Sequence, residues 1–417
     1  MLMTLSTKVD AVDQIKLSEV VDELNRWYPP ALAEDWDSVG LIVGDLNAPV
    51  RRILVALDPV AEVIDEAVNW DADLVLTHHP LFLKPVHQVS TATYKGKLVH
   101  QLISAGCALM NAHTNADRAQ GGVADALADV IGLTNCRPLV PAHGAPLDKF
   151  VVFVPEADTD RVHQAMAAAG AGNLGEYRDC SWRSLGTGTF TASDQADPHI
   201  GTPGLTSTVP EYRLEMVAAR PLRARILAAM RQTHPYEEPA FDIIELAAFP
   251  TEQGLGKVGE LVDPMTLHQF AQHVAAVLPA TAQGIRVAGD LSDQVRTIAV
   301  LGGSGDSLFG AARASGADVY LTSDLRHHPA SEAREIALLR GGKPYLVDTA
   351  HWASESVWLP VVAQRLRQWA GGQYDHGSQR VEVRVSQRRT DPWTAQFPSS
   401  SLPGTEEHSS NSDERQH

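Results

Sequence analysis

Short apolar runs alternate with amphipathic stretches along most of the chain. Leu74, Val75 and Leu76, with Ala72 before them, form an unbroken apolar run, the pattern of a strand buried on both faces of a parallel sheet. The same pattern recurs. Val50–Val55 is answered by Val295–Val300, and the helical stretch Val60–Trp70 by Asp306–Ser315. Ala72–Thr77 is answered by Ala317–Thr322, and a further helix and strand follow in each copy. An internal duplication of this kind predicts two similar α/β halves packed about a pseudo-two-fold, forming one domain with a site between them.

The remaining stretches fit around this repeat. Residues 17–28 carry apolar positions at helical spacing, and Pro29-Pro30 end that helix. Glu34–Gly44 reads as a loop entering a strand. Its acids are expected mainly to cap and order the loop while Trp36 packs; orienting a histidine is the lesser role. Gly121-Gly122 reads as a turn. Gly302-Gly303-Ser304-Gly305 opens a helix and suits either a phosphate cradle or a tight turn, while Gly254 and Gly256 resemble a phosphate loop only weakly. Prolines near 138–148 mark a linker. Beyond it the order β-α-β-β-α-β predicts an inserted ferredoxin-like α+β domain over 148–248. The expected plan is therefore 1–140 and 252–390 for the two halves, with a disordered tail over 397–417. A strand at Val381–Val385 closes the fold.

Composition narrows the function. Of 417 residues, 44% are apolar, enough for full cores, and the length calls for two or three domains. The net charge of −17 argues against a general nucleic-acid binder. Cys107, Cys136 and Cys180 are scattered, odd in number and without a C-x-x-C, which fits a reducing cytoplasm. The sequence shows no signal peptide and no apolar run of membrane-spanning length, so a soluble cytoplasmic protein is expected.

The chemistry lies where the apolar runs stop. The first copy runs into Thr77-His78-His79-Pro80. Pro80 cannot continue a central strand, so both histidines sit at a strand's carboxyl end, where open α/β sheets bind ligands. Adjacent residues of extended backbone point to opposite sides. His78 and His79 are thus badly placed to share one ion and well placed to reach two lying side by side. The second copy interposes Ser323-Asp324-Leu325-Arg326 before His327-His328-Pro329. The copies end in His113-Thr-Asn-Ala-Asp117 and His351-Trp-Ala-Ser-Glu355. A histidine and an acid four apart share one helical face. This is an N/O ligand set without cysteine, suited to Zn, Fe or Mn, or to Mg with more oxygen. A lone His-His pair would more simply be a polar strand end; the repeat weighs against that.

Trp36-Asp37-Ser38-Val39-Gly40-Leu41, Thr77–Phe82, His113–Asp117, Thr322-Ser323-Asp324 with His327-His328, and Asp348–Glu355 together resemble the dinuclear-metal hexamer family known as GTP cyclohydrolase I type 2, or interacting-factor-three-like. The resemblance covers the two halves. The middle segment is similar to the inserted domain of longer members, which resembles trimeric signal-transducer and copper-tolerance folds. It implies a homohexameric ring with two divalent ions per subunit facing a cavity. It implies His78, His79, Asp117, His351 and a bridging Glu355 as ligands. His113, Asp324, His327 and His328 would line the pocket, with His113 or His328 moving a proton. Thr349-Ala350 stands where the family more often has glycine. The activity implied is metal-dependent hydrolysis of a nucleotide heterocycle, formate leaving the guanine imidazole ring of GTP. The other reading is a non-enzymatic metal-binding regulator or assembly scaffold.

Overall fold

The computed structural model describes residues 14–373 and 381–397; the expected tail beyond Phe397 lies outside them. The chain forms two compact units, residues 143–251 and the remainder.

The larger unit contains two sheets of one design. In the first, the order is Gly40–Val43, Ala108–Asn111, Leu74–Thr77, Arg52–Ala56 and Glu382–Val385. The edge strand Gly40–Val43 is antiparallel and the others are parallel. In the second, Arg286–Ala288, Tyr345–Thr349, Val319–Ser323 and Gln294–Ser304 repeat that order, again with an antiparallel edge. The long strand Pro250–Thr266 follows antiparallel to Gln294–Ser304, with Thr134–His143 beyond it. The unbroken apolar runs become fully buried central strands, since parallel strands are covered on both faces.

The sheets do not follow the halves of the sequence. Glu382–Val385, from the end of the chain, pairs in parallel with Arg52–Ala56 of the first sheet. The helix Trp358–Gln373 before it sends Trp358, Leu359, Val362 and Leu366 into the first core, beside Leu24, Ile53 and Leu74. In return, Thr134–His143 ends the second sheet. The helix Val123–Ile131 ahead of it is apolar on two sides: Val123 and Ala126 join the first core, and Leu127, Ala128 and Ile131 the second. Each sheet is thus completed by a helix and strand from the other half of the chain.

In the smaller unit, strands Leu147–Pro155, Trp182–Thr191, Thr206–Ala219 and Phe241–Glu245 and helices Thr159–Ala168 and Arg223–Thr233 follow the order β-α-β-β-α-β. The sheet is antiparallel throughout. Val162, Met166, Ile226 and Met230 of the helices pack on Phe150, Val152, Leu214 and Met216. Among the described residues no helix is long and apolar enough to cross a membrane.

Candidate metal centre

The central strands of both sheets end at one cluster. Thr77 ends Leu74–Thr77, and the backbone runs on extended through His78 and His79, the N–H groups bonding to Ala56 and Leu57 carbonyls. The two side chains depart differently, as alternation requires, and converge on different oxygens of Glu355. His78 Nε2 lies 3.6 Å from Glu355 Oε1, and His79 Nε2 lies 3.0 Å from Oε2. Glu355 comes from the short helix His351–Ser356, where the i,i+4 spacing brings His351 Nε2 to 3.0 Å from the same Oε2. Asp117, on the helix Thr114–Arg118, adds Oδ1 at 3.6 Å from His78 Nε2. Two poles result: His78, Asp117 and Glu355 Oε1 at one, His79, His351 and Glu355 Oε2 at the other.

Each histidine is held by its far nitrogen. His78 Nδ1 is 2.8 Å from the Ala112 carbonyl oxygen, which can only accept, so Nδ1 carries the hydrogen and Nε2 faces the cluster. His79 Nδ1 bonds Asp58 Oδ1 at 2.6 Å, and His351 Nδ1 bonds Asp324 Oδ2 at 2.6 Å. His113 Nδ1 bonds Asp37 Oδ1 at 2.8 Å. Outer acceptors of this kind fix the ring and raise the basicity of the free nitrogen. Asp324 reaches His351 from a left-handed backbone, φ 56°, and Asp58 is itself bonded by the Thr390 hydroxyl.

Opposite charges offset the burial. Desolvation pulls the imidazoles down, but Glu355 together with Asp117 beside His78, and with Asp58 and Asp324 beside the other two, outweighs it. His78 is held above its ordinary value, His79 is raised to about 10 and His351 to about 11. Burial pushes the Glu355 carboxyl up, yet the three histidines hold it well below the usual range. Asp117, buried beside Glu355, is raised despite His78. Burial also acts on Asp37, and the bonds from His113 and Thr114 more than reverse it.

The residues fit a cation. His78 Nε2, Asp117 Oδ1 and Glu355 Oε2 are buried without a hydrogen-bond partner, an arrangement costly unless something charged joins them. His79, His351 and Glu355 form one group able to hold a metal, and His78, His79 and His113 another; within each group the candidate ligand atoms lie within 4.8 Å of one another.

Not every candidate joins the cluster. His113 does, its ring centroid 5.2 Å from that of His78 and 5.5 Å from that of His79. His327 and His328 start the helix His327–Leu338, exposed, with rings 5.1 Å apart, and neither belongs to a ligating group among the described residues. Asp324 orients His351. Trp36 is 59% exposed, its ring edge-to-face with that of His113 at 6.0 Å, so it does not pack into the core as expected. Asp37 orders its loop through Ser38 and Thr114 and also holds His113. Asp58 carries little signal in the sequence: it stands in the first copy where the second has Gly302-Gly303.

Those glycines are not a phosphate cradle. Gly303, at φ 70°, lies against Glu355 and His351, and a Cβ there would overlap Glu355 Oε1; one on Gly302 would crowd Val123 and Glu355. They clear space for the carboxylate. Gly254 and Gly256 lie against the strand Thr134–His143. Gly121-Gly122 is the expected turn, capping Val123–Ile131.

Comparison with known proteins agrees over nearly the whole chain. The family model Duf34/NIF3 (NGG1p interacting factor 3) matches residues 15–392. A Mycobacterium tuberculosis protein named GTP cyclohydrolase 1 type 2 homolog is 46% identical over 91% of this chain and 97% of its own. A Bacillus subtilis protein of the same name is 37% identical over 90% and 97%. Among solved structures, a Bacillus cereus protein related to NIF3 superposes with TM-score 0.67 at 36% identity, covering 92% of this chain and 99% of that one. Staphylococcus aureus protein SA1388 gives 0.76 at 28%, covering 93% and 100%.

Proposed function

This chain belongs to the Duf34/NIF3 family, and from that premise we propose that it is a metal-dependent hydrolase with a dinuclear centre. The observation that carries the reading is the set of buried, unpartnered ligand atoms at the two poles, His78 Nε2 and Asp117 Oδ1 at one and Glu355 Oε2 at the other, with Glu355 Oε1 3.6 Å from His78 Nε2. His78 and Asp117 would hold one ion and His79 and His351 the other, with Glu355 placed to serve both. Divalent ions held there would supply Lewis acidity and lower the pKa of a water to about 7. An N/O donor set suits Zn, Fe or Mn.

The protein's own groups do the rest. Asp58 and Asp324 keep His79 and His351 in one tautomer. Asp37 accepts from His113 Nδ1, leaving His113 Nε2 to take and return a proton as general base and acid. His328 has no such placement and is not assigned a catalytic part. The substrate class is a nucleotide heterocycle or a related hydrolysable bond, by analogy with relatives named GTP cyclohydrolase 1 type 2 homolog. The proposed assembly is a homohexamer.

Two measurements test the reading. The metal content of protein purified without added metal should be about two ions per chain, lost in His79→Ala and Glu355→Ala. A nucleotide screen, including formate release from GTP, should then show turnover that Glu355→Gln abolishes while native mass still reports six subunits. Absence of metal after reconstitution sinks the centre. Metal without any hydrolysis, in an assembled ring, leaves a metal-binding scaffold instead.

A further inference from the structure

The smaller unit contains a cavity of about 680 Å³, within the range that takes a nucleoside-sized ligand. Its walls come from Trp182–Thr191, Thr206–Ala219 and the segment around Tyr236. Three aromatic rings line it: Phe153, Phe190 and Tyr236, the last two with centroids 6.0 Å apart. Among them sits Glu211, only 9% exposed. Tyr236 donates its hydroxyl to Glu211 Oε1 at 2.8 Å, while Oε2 has no hydrogen-bond partner among the described residues.

The position is built. Glu211 lies opposite Gly186 in the antiparallel register, and its carboxylate rests on Gly188, where a Cβ would overlap Oε2. A residue with any side chain at 188 would displace the acid. The fixing hydroxyl is steadied in turn: the Tyr236 ring meets that of buried His234 at 5.1 Å, and His234 Nδ1 accepts from the Tyr236 N–H. The lining acids Glu211, Glu237 and Glu238 outnumber Arg213, which already donates to Glu215.

We propose that this cavity binds a planar nitrogen heterocycle that presents two adjacent N–H donors, a guanine-type edge, to the Glu211 carboxylate between aromatic walls. A carboxylate anchored through one oxygen keeps coplanar acceptor capacity on both, which suits a paired donor. The aromatic rings suit a flat π-face. The acidic lining disfavours a phosphate within the cavity, so a base or nucleoside fits better than a nucleotide. None of the residues that line it belongs to the metal cluster, and the proposal does not depend on that cluster's chemistry.

Isothermal titration of the full chain with guanosine tests this. Saturable binding is expected, weaker by roughly tenfold or more for inosine, which lacks the exocyclic amine, and for Glu211→Gln. Gly188→Ala should lose binding to a similar degree, with an unchanged circular dichroism spectrum, because the clash falls on the end of a flexible side chain. His79→Ala should bind guanosine like the parent, which separates this site from the metal centre. No saturable binding, equal binding of guanosine and adenosine, or parental affinity in Glu211→Gln would overturn the proposal.

Discussion

Gly303 lies so close beneath Glu355 that a Cβ on the glycine would overlap the carboxylate oxygen facing His78. The pair links the backbone of one strand to the one side chain that touches both poles of the cluster. Gly303→Ala should therefore push Glu355 off its position and also strain a left-handed residue, φ 70°. The expected result is metal content well below that of the parent and a stability loss of about 1–2 kcal/mol. Metal analysis beside urea unfolding checks it; parental metal content would show that Glu355 is not confined by this glycine.

Asp58 and Asp324 touch the histidines rather than the space between the poles. Replacing either with asparagine keeps the shape and removes the charge. Metal affinity should fall by roughly 10–100-fold without abolishing binding, as for outer-sphere partners of ligating histidines. Chelator competition measures it. An equally severe loss in Asp306→Asn, whose partner is Arg326, would mean that the effect is general electrostatics.

The elements of this fold are legible because period and composition decide them. Leu74–Thr77 and Val319–Ser323 are short apolar runs stopped by polar residues, and a strand buried on both faces is their simplest reading. The divergence of the His78 and His79 side chains follows from backbone alternation; that one acid, Glu355, meets both does not. The exchange of elements between halves is not legible. Val123–Ile131 declares two apolar faces but not which of two similar sheets each will meet, and the three-residue-wide pattern of Val381 and Val383 suits either sheet edge. Asp58 escapes notice because an outer acid needs only to reach a ring nitrogen, from any loop. Gly303 reads as a turn or a cradle because the group it accommodates, Glu355, is 52 residues away in sequence.

Asp148 ties the smaller unit together. Its buried carboxylate accepts from Arg223 Nε at 2.7 Å and Nη2 at 2.9 Å, and from Arg220 Nε at 3.3 Å. The bonds from Arg223 hold its pKa below 3.8, against the pull of burial. A depressed folded pKa means stability present above the unfolded value and lost as pH falls through the folded one. Asp148→Asn should cost about 1–3 kcal/mol at pH 7, the arginines being partly exposed. The gap between parent and variant should stay constant down to about pH 5 and close below about pH 4. A gap that persists at low pH would assign the loss to packing rather than charge.

The exchanged elements make the two halves of the larger unit inseparable. A fragment ending at residue 142 keeps most strands of the first sheet but loses Trp358, Leu359, Val362, Leu366 and Val383 from its core. Each such side chain contributes about 1.5–3 kcal/mol, so the deficit is roughly 8–15 kcal/mol, as large as the whole stability of an ordinary domain, about 5–15 kcal/mol. The fragment 252–417 likewise lacks Leu127, Ala128 and Ile131 of the second core. Either fragment alone should lack a cooperative thermal transition by circular dichroism, and co-expression of the two should restore one. A cooperative transition in fragment 1–142 alone would mean that the first sheet is stable without the helix and strand supplied by the chain's end. The metal site would then join two self-sufficient halves; with the exchange intact, the backbone that completes each sheet also fixes the separation of His79 from His351.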